Sequence, residues 1–283
     1  MVKLEEHKDL TKDVSIALAP SPSKAYMHLS QHIGKAAIPC VKPGDLVAKG
    51  QLVATSDAAV SSPVHASISG KVIGIQEYPH PALGSSRAII IENDAQDNAQ
   101  KTEVRNQKET EDLSPEDIRK IVHESGIVGL GGATFPSHIK LNPAKPVDTL
   151  IINGAECEPY LTSDYRLMLE KTKEILLGID LVRRCLNVTK VYIAIEDNKP
   201  EAIEQFRVNS SGSIVKELRS FYPQGGEKQL IKNVLNKEVP QGKLPFDIGV
   251  VVHNVATIYA IYEAVYKGKP LYERVVSVTG SCL

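Results

Sequence analysis

The segment GLGGATFP, residues 129–136, places three glycines within four positions. Glycine loses more backbone entropy on folding than any other residue, so this density indicates that bare backbone is needed there. Unobstructed backbone N–H groups bind anions, and the cation Lys140 follows one helical turn after Pro136. The segment therefore predicts an anion-binding loop, and the alternative is a purely structural glycine corner between two helices.

Two common phosphate motifs do not fit this loop. A Rossmann G-x-G-x-x-G must follow a strand and open a helix, whereas this loop follows a predicted helix and has Thr134 at the sixth position. A P-loop requires a Gly-Lys-Ser/Thr ending, and no such lysine follows here. Any phosphate site must therefore be of another type.

Three further polar clusters stand at predicted junctions between strands and helices. They are IINGAECEPYLTSDYR (151–166), FYPQGGEKQL (221–230) and VHNV (252–255). Ligands of open α/β sheets bind at the carboxyl edge of the strands, so these clusters predict one shared ligand site.

Two of these clusters also have a simpler interpretation. Asn153 can hydrogen-bond the edge of a heterocycle through its amide. Glu156 and Glu158 can accept hydrogen bonds from ribose hydroxyls. Alternatively, they can form a solvated turn at a helix N-terminus, where their negative charge is favourable. His253 and Asn254 are equally consistent with a loop histidine and a helix N-cap.

Hydrolytic and metal chemistry find little support in the sequence. The four cysteines, Cys40, Cys157, Cys185 and Cys282, stand singly, without a C-x-x-C pair. The chain therefore encodes neither a zinc ribbon nor a self-contained iron–sulfur cluster, and no Ser-His-Asp arrangement is evident. We expect no metal ligands, no catalytic side chain and a reducing, cytoplasmic environment.

The elements that must position these clusters follow an α/β pattern. Apolar runs predict strands over 148–153, 188–197, 213–218 and 247–253. Helices are predicted after Ser114, over 163–178, 198–206 and 226–235, and from Asn254 to Gly268. Strands that alternate with helices predict a mostly parallel sheet covered on both faces.

The preceding residues have a different character. Residues 36–92 are short β-rich runs separated by Pro-Gly, Lys-Gly and Ser-Gly turns, typical of a small β barrel or sandwich. They resemble the lipoyl-like barrel-sandwich hybrid, but the hairpin tip over residues 62–66 carries no lysine, so a docking module is favoured over a swinging-arm carrier. We predict a β domain over 1–95, a polar linker over 96–112, an α/β domain over 113–270, and over 271–283 the start of a truncated β region.

Composition excludes other classes of protein. The chain has 283 residues, with 33 basic and 34 acidic side chains, which gives a formal net charge of -1. Because there is no basic surplus, nucleic-acid binding is not expected. No run approaches roughly 18 apolar residues, so no membrane span is expected.

The motifs together resemble the RnfC family of the Rnf electron-transport complex, and this family is similar to the NADH-oxidising flavoprotein of complex I. The resemblance covers roughly residues 28–280. It is carried by LSQHIGKAAIPCVKPGDLVAKGQ, GLGGATFPSHIKL, LIINGAECEPYLTSDYR, IEDNKPEAIE, YPQGGEKQLI and VPQGKLPFDIGVVVHNVATIYA.

The resemblance implies an FMN-binding domain that accepts a hydride from NADH. Carried over by motif, Gly129, Gly131, Gly132 and Lys140 would hold the flavin phosphate. Asn153 and Glu156 would contact the flavin, and His253 and Asn254 would lie near its phosphate or ribityl side. Phe135, Glu158 and Glu227 would face NADH.

The family also implies partners. Electrons would pass to 4Fe-4S clusters in a C-terminal part that this chain lacks, and other subunits of an electron-transport complex, or a partner reductase, would hold the protein on the inner face of the cell membrane. Leu130, Ala155 and Gly226 depart from polar residues of the complex I pattern, and the usual Gly-Gly opening of the family is missing. A PrdC-type electron-transfer protein and a docking scaffold without cofactor are the alternatives. The final acceptor, the choice between NADH and NADPH, and the oligomeric state are left open.

Overall fold

The computed structural model describes residues 2–280, which fall into two compact units. The β unit comprises Leu18–Ile139 and Glu263–Arg274. The α/β unit comprises Met1–Ala17, Lys140–Tyr262 and Val275–Leu283.

Antiparallel strands build the β unit, which confirms the predicted β-rich N-terminal part. One sheet has the order β1-β7-β6-β3 and a second the order β2-β4-β5. Alternating apolar residues of these strands enclose a core that includes the fully buried Val53, Val72, Ile89 and Ile91. The strands are β1 Lys24–His28, β2 Ile38–Pro39, β3 Leu46–Val47, β4 Leu52–Thr55, β5 Val64–His65, β6 Gly70–His80 and β7 Gly84–Asn93.

Short helices follow the strands. They are α1 Gln107–Glu111, α2 Pro115–Glu124 and α3 Ser137–Lys140. The predicted N-cap of α2 is confirmed, because the Ser114 side chain accepts from the Asp117 amide while the Asp117 carboxylate accepts from the Ser114 amide. The glycine loop thus lies between α2 and α3.

The α/β unit is built on a sheet in which all the pairings are parallel, in the order β10-β9-β8-β11, and this confirms the predicted sheet. Its strands are β8 Thr149–Gly154, β9 Lys190–Glu196, β10 Ile214–Leu218 and β11 Val250–Asn254. Its helices are α4 Ser163–Glu170, α5 Thr172–Leu186, α6 Pro200–Asn209, α7 Glu227–Leu235 and α8 Val255–Lys267, and a 3-10 turn spans Pro245–Ile248.

Burial explains why these strands are continuous apolar runs. Leu150, Ile151 and Ile152 of β8 are fully buried, as expected for a parallel strand covered on both faces. The parallel register pairs Asn153 of β8 with Asn254 of β11, so the polar residues that end both strands lie at one carboxyl edge.

Two predictions of elements differ from the structure. The single helix predicted over 163–178 is wrong: α4 ends at Glu170 and α5 begins at Thr172. The Thr172 hydroxyl donates to the Met168 carbonyl at 2.6 Å, and this local side-chain bond competes with a continuous helix. The β element predicted from residue 271 is not found over residues 271–280, which contain no strand, and residues 281–283 lie outside the described residues.

Every helix within residues 2–280 is too short or too polar to span a lipid bilayer.

Candidate functional site

The glycine loop of the β unit is a closed bend with an exposed tip. An antiparallel bridge joins Val128 to Pro136, and the Gly129 amide donates to the Phe135 carbonyl at 2.9 Å. Residues 131–133 at the tip are exposed, and Phe135 is half-buried. Gly132 has φ 114°, and nothing lies within 4 Å of a Cβ built on it. Backbone conformation rather than packing therefore requires glycine there, and the amides at the tip are accessible.

In the α/β unit, two buried lysines hold the turn that follows β8. Lys199 Nζ donates to the Ala155 carbonyl at 2.6 Å, and Lys8 Nζ donates to the Glu156 carbonyl at 2.6 Å. Glu156 has φ 53°, in the left-handed region that costs a non-glycine residue about 1 kcal/mol or more. The two ammonium groups thus fix successive carbonyls of a strained turn.

The same lysines face two carboxylates. Lys199 pairs with Glu196 Oε2 at 3.2 Å, and both side chains are 2% exposed. Burial raises the pKa of Glu196, although the charge of Lys199 opposes the shift, and burial likewise raises the pKa of Glu156. Burial lowers the pKa of Lys8, and the nearby charge of Lys199 adds to the effect. Two lysines therefore lie beside two carboxylates in one largely buried cluster.

The Glu156 carboxylate caps helix α4 from outside the helix. Its two oxygens accept from the Asp164 amide at 2.7 Å and from the Tyr165 amide at 3.2 Å. Thr162, at the N-cap position, makes no side-chain cap bond, so Glu156 satisfies donors that would otherwise lack a partner. Asp164 Oδ2 in turn accepts from Asn254 Nδ2 at 2.6 Å, which links α4 to the end of β11.

The two asparagines at the carboxyl edge bond mainly to backbone. Asn153 Oδ1 accepts from the Ala155 amide at 3.2 Å, and its Nδ2 donates to the Gly225 carbonyl at 2.9 Å. Asn254 Oδ1 accepts from the amides of residues 256 and 257, so the predicted N-cap of α8 is confirmed. Both side chains therefore shape the loops around them.

Lys140 contacts β11 at the residue before His253. Lys140 Nζ donates to Glu227 Oε1 at 2.8 Å and to the Val252 carbonyl at 2.7 Å. His253 is 2% exposed, and its Nε2 has no hydrogen-bond partner among the described residues. Burial, with the charge of Lys140 adding to it, lowers the pKa of His253 to about 3, so the ring is neutral near pH 7.

Cys157 and Glu158 complete the turn. The Gly225 amide donates to Cys157 Sγ at 3.2 Å, and burial raises the pKa of this thiol, which keeps it protonated. Glu158 is exposed. The charge of Glu158 and its hydrogen bond with the Tyr222 hydroxyl raise the pKa of that phenol.

The structure divides the predicted site residues between the two units. Those in the α/β unit are Lys140, Asn153, Glu156, Glu158, Glu227, His253 and Asn254. Those in the β unit are Gly129, Gly131, Gly132 and Phe135. Hydrogen bonds within the α/β unit link Glu156 to Asn254 through Asp164, and Lys140 to Glu227.

Sequence reasoning missed Lys8, Lys199 and Glu196. Glu196 ends β9 and Lys199 directly precedes α6, so their position at a strand end was a usable signal. Lys8 lies 148 positions from Glu156, whose carbonyl it contacts, and a pattern of neighbouring residues cannot predict such a contact. Within residues 2–280, no group of three or more His, Cys, Asp or Glu side chains is arranged to hold a metal ion.

Family models match most of the chain. The Nuo51 FMN-binding domain matches residues 122–263, which contain the glycine loop and the whole carboxyl edge just described. The RnfC barrel sandwich hybrid domain matches residues 2–96.

Whole-chain relatives agree with these models, and each is a subunit of a larger oxidoreductase complex. The relative from the proton-translocating ferredoxin:NAD(+) oxidoreductase complex of Clostridium ljungdahlii is 46% identical over 99% of this chain and 62% of its own length. The relative from the Na(+)-translocating ferredoxin:NAD(+) oxidoreductase complex of Acetobacterium woodii is 43% identical over 98% of this chain and 63% of its own. The relative from the ion-translocating oxidoreductase complex of Rhodobacter capsulatus is 44% identical over 98% of this chain and 54% of its own. The chain thus spans less than two thirds of these relatives.

Proposed function

This chain belongs to the RnfC family of ion-translocating oxidoreductase subunits, and we propose that it is a flavoprotein module that binds FMN and oxidises NADH. The observation that carries the proposal is the match of an FMN-binding domain to residues 122–263. That region contains both an exposed loop of bare amides and a strand edge rich in polar groups.

The residues present fit a flavin mononucleotide. The loop of Gly129, Gly131 and Gly132 offers backbone amides that can donate hydrogen bonds to a phosphate. Lys140 offers a positive charge for the same group. His253 Nε2 is buried without a partner among the described residues, and such an atom is costly unless something satisfies it. We assign it, with Asn254, to the phosphate or ribityl side of FMN.

Asn153 and Glu156 are assigned to the flavin. Because their amide and carboxylate already bond to backbone, they would act mainly by holding the loops that face the flavin. Exposed Glu158, partly exposed Glu227 and half-buried Phe135 are assigned to NADH. A carboxylate suits ribose hydroxyls, and an aromatic ring can stack on a heterocycle.

When bound, the flavin would supply the chemistry of hydride acceptance and single-electron release. The protein would orient the nucleotide. In the proposed arrangement no side chain acts as acid or base, and the neutral ring of His253 and the protonated thiol of Cys157 are consistent with that.

The wider assignment is also a proposal, and the relatives support the part of it that makes this chain one subunit of a larger complex. We propose a barrel-sandwich β domain over 1–95, a linker over 96–112 that contains α1, and the flavin domain over 113–270. Electrons would pass to 4Fe-4S clusters outside this chain. Other proteins of the complex would be the partners and would hold this chain on the inner face of the cell membrane.

Flavin fluorescence tests the proposal. Titration of the protein into FMN should quench the fluorescence with a Kd near the micromolar range, equivalent to about 8 kcal/mol. Gly132→Asp should abolish binding, because it puts a negative charge where the phosphate is expected. Gly212→Asp is the matched control: it also has a positive φ and open space around its Cβ, and should leave binding unchanged. Absence of quenching by the unaltered protein, or equal loss in both variants, would refute the assignment.

A cofactor-free docking scaffold is the second candidate. It is favoured by the internal hydrogen bonds of Asn153, Glu156 and Asn254, which leave their polar groups engaged without a ligand. Anaerobic addition of NADH to the protein with FMN separates the two functions. The flavoprotein should bleach the flavin absorbance, whereas a scaffold should leave it unchanged.

A further inference from the structure

The N-terminal strap, residues 2–13, lies along the carboxyl edge of the sheet within the α/β unit. Val2 and Tyr222 exchange backbone hydrogen bonds of 3.1 and 2.8 Å. The Tyr160 amide donates to the Glu6 carbonyl at 2.8 Å, and Asn198 Nδ2 donates to Glu6 Oε1 at 3.0 Å. The strap is therefore attached to the chain at Tyr222, at Tyr160 and at Asn198.

Lys8 is the side chain that the strap sends inward. The residue is 8% exposed, and its Nζ lies 2.6 Å from the Glu156 carbonyl. Lys199 holds the preceding carbonyl, of Ala155, at the same distance. A charged donor that is shielded from water bonds more strongly than a neutral one, so this pair defines the path of the turn.

The position of the turn matters for everything around it. Asn153 precedes it and Glu158 follows it. The side chain of its central residue, Glu156, caps α4 and thereby positions Asp164, which bonds to Asn254. A shift of one carbonyl would move both the proposed flavin contacts and the proposed nucleotide contact.

We propose that Lys8 is a positioning residue of the site: it holds the 155–156 turn and so places Glu158 for the nucleotide and Asn153 for the flavin. The ligands named here rest on the proposed function. The hold on the turn is a property of this chain alone and can be measured without a ligand.

The test compares Lys8→Met with Lys12→Met in the full chain. Methionine keeps an unbranched apolar stem but removes the donor. Lys12 is the matched control, because it lies on the same strap but is 44% exposed and pairs with Asp9 at 2.6 Å. Hydrogen exchange without ligand is followed at the amides of Asp164 and Tyr165, with β9 amides as a measure of global stability.

We expect exchange at the two α4 amides to accelerate about tenfold in Lys8→Met, since a hydrogen bond from a charged donor is worth about that factor or more. Protection in β9 should be unchanged, and Lys12→Met should match the unaltered protein. Equal loss in β9 and α4, or no change in either, would overturn the proposal.

The second measurement uses FMN and NADH. In Lys8→Met, the Kd for FMN and the NADH concentration for half-maximal flavin reduction should each rise about tenfold, while the reduction rate at saturation stays within about twofold. A purely structural role would not produce this split. If the unaltered protein binds no FMN, the proposed function fails while the exchange result still decides the hold on the turn. If it binds FMN and Lys8→Met binds equally well, the positioning role is wrong.

Discussion

Removal of the ammonium group in Lys199→Met should destabilise the α/β unit severely. Lys199 Nζ donates to the Ala155 carbonyl at 2.6 Å, to Asn198 Oδ1 at 2.8 Å and to Glu196 Oε2 at 3.2 Å. The side chains of Lys199 and Glu196 are each only 2% exposed, so water cannot replace the lost donor without local opening.

The magnitude follows from the buried carboxylate. Glu196 Oε1 already has no partner among the described residues, and the substitution would leave Oε2 without its cation. Breaking a buried pair by removing one partner costs about 3–5 kcal/mol, because an uncompensated charge stays inside. We therefore expect Lys199→Met to lower the free energy of unfolding by about that amount near pH 8.

A double-mutant cycle separates the ion pair from the lost packing. Replacing both partners of a buried pair by apolar residues is often neutral or stabilising. Lys199→Met combined with Glu196→Leu should therefore be more stable than Lys199→Met alone, with a coupling energy of about 2 kcal/mol or more. Urea unfolding followed by circular dichroism measures the loss, and hydrogen exchange in β9 assigns it to the α/β unit.

The pH dependence of the loss provides a second check. Burial raises the pKa of Glu196 above that of an unfolded glutamate, about 4.3. Stability from such a group is fully present below the unfolded pKa and is lost as pH rises through the folded pKa. Without Lys199 the folded pKa rises further, so the destabilisation should be largest near pH 8 and shrink toward about pH 4. A loss below about 1 kcal/mol near pH 8, or a strictly additive cycle, would refute this account of the cluster.

Other substitutions test separate parts of the structure. His253→Asn should make the free energy of unfolding depend less on pH below about 6.5. Burial lowers the pKa of His253 to about 3, so the unaltered protein should lose up to about 1.4 kcal/mol per pH unit as pH falls from about 6.5 toward that value. Urea unfolding at several pH values measures the difference. Lys140→Met should raise the pKa of His253, because a nearby positive charge is removed, while burial keeps it below the ordinary value; an NMR titration of the ring that shows no rise would contradict this. Gly126→Ala should cost several kcal/mol in thermal or urea unfolding, because a Cβ there would lie 2.5 Å from the Pro63 carbonyl oxygen at φ 69°, whereas Gly84→Ala, at φ 73° with open space around it, should cost only about 1–2 kcal/mol.

Local patterns in the sequence were sufficient for the strands and for most caps. A few neighbouring residues suffice to predict strand β8 from its apolar run and the start of α2 from its Ser-Pro-Glu-Asp sequence. The break between α4 and α5 was not visible, because it depends on what the Thr172 hydroxyl does in the folded chain. Helical periodicity alone continues through such a residue.

The candidate site was predicted in its residue types but not in its internal bonding. Asn153, Glu156 and Asn254 were expected to meet a ligand, and the structure shows that their side chains bond to the protein's own backbone. Lys8 and Lys199 were missed because lysine is rarely buried, and a buried lysine needs partners that come from distant parts of the chain.

This distribution of bonds suggests how the work of binding is divided within the α/β unit. Side chains that bond inward, such as Asn153 and Glu156, determine where the backbone of the turn lies. Some atoms, such as His253 Nε2, have no internal hydrogen-bond partner among the described residues. A bound group that forms a hydrogen bond with such an atom can offset the free-energy cost of its desolvation. Substitution at the inward-bonding positions should therefore alter affinity and local exchange together. Substitution at His253 should alter affinity while exchange at the turn stays unchanged.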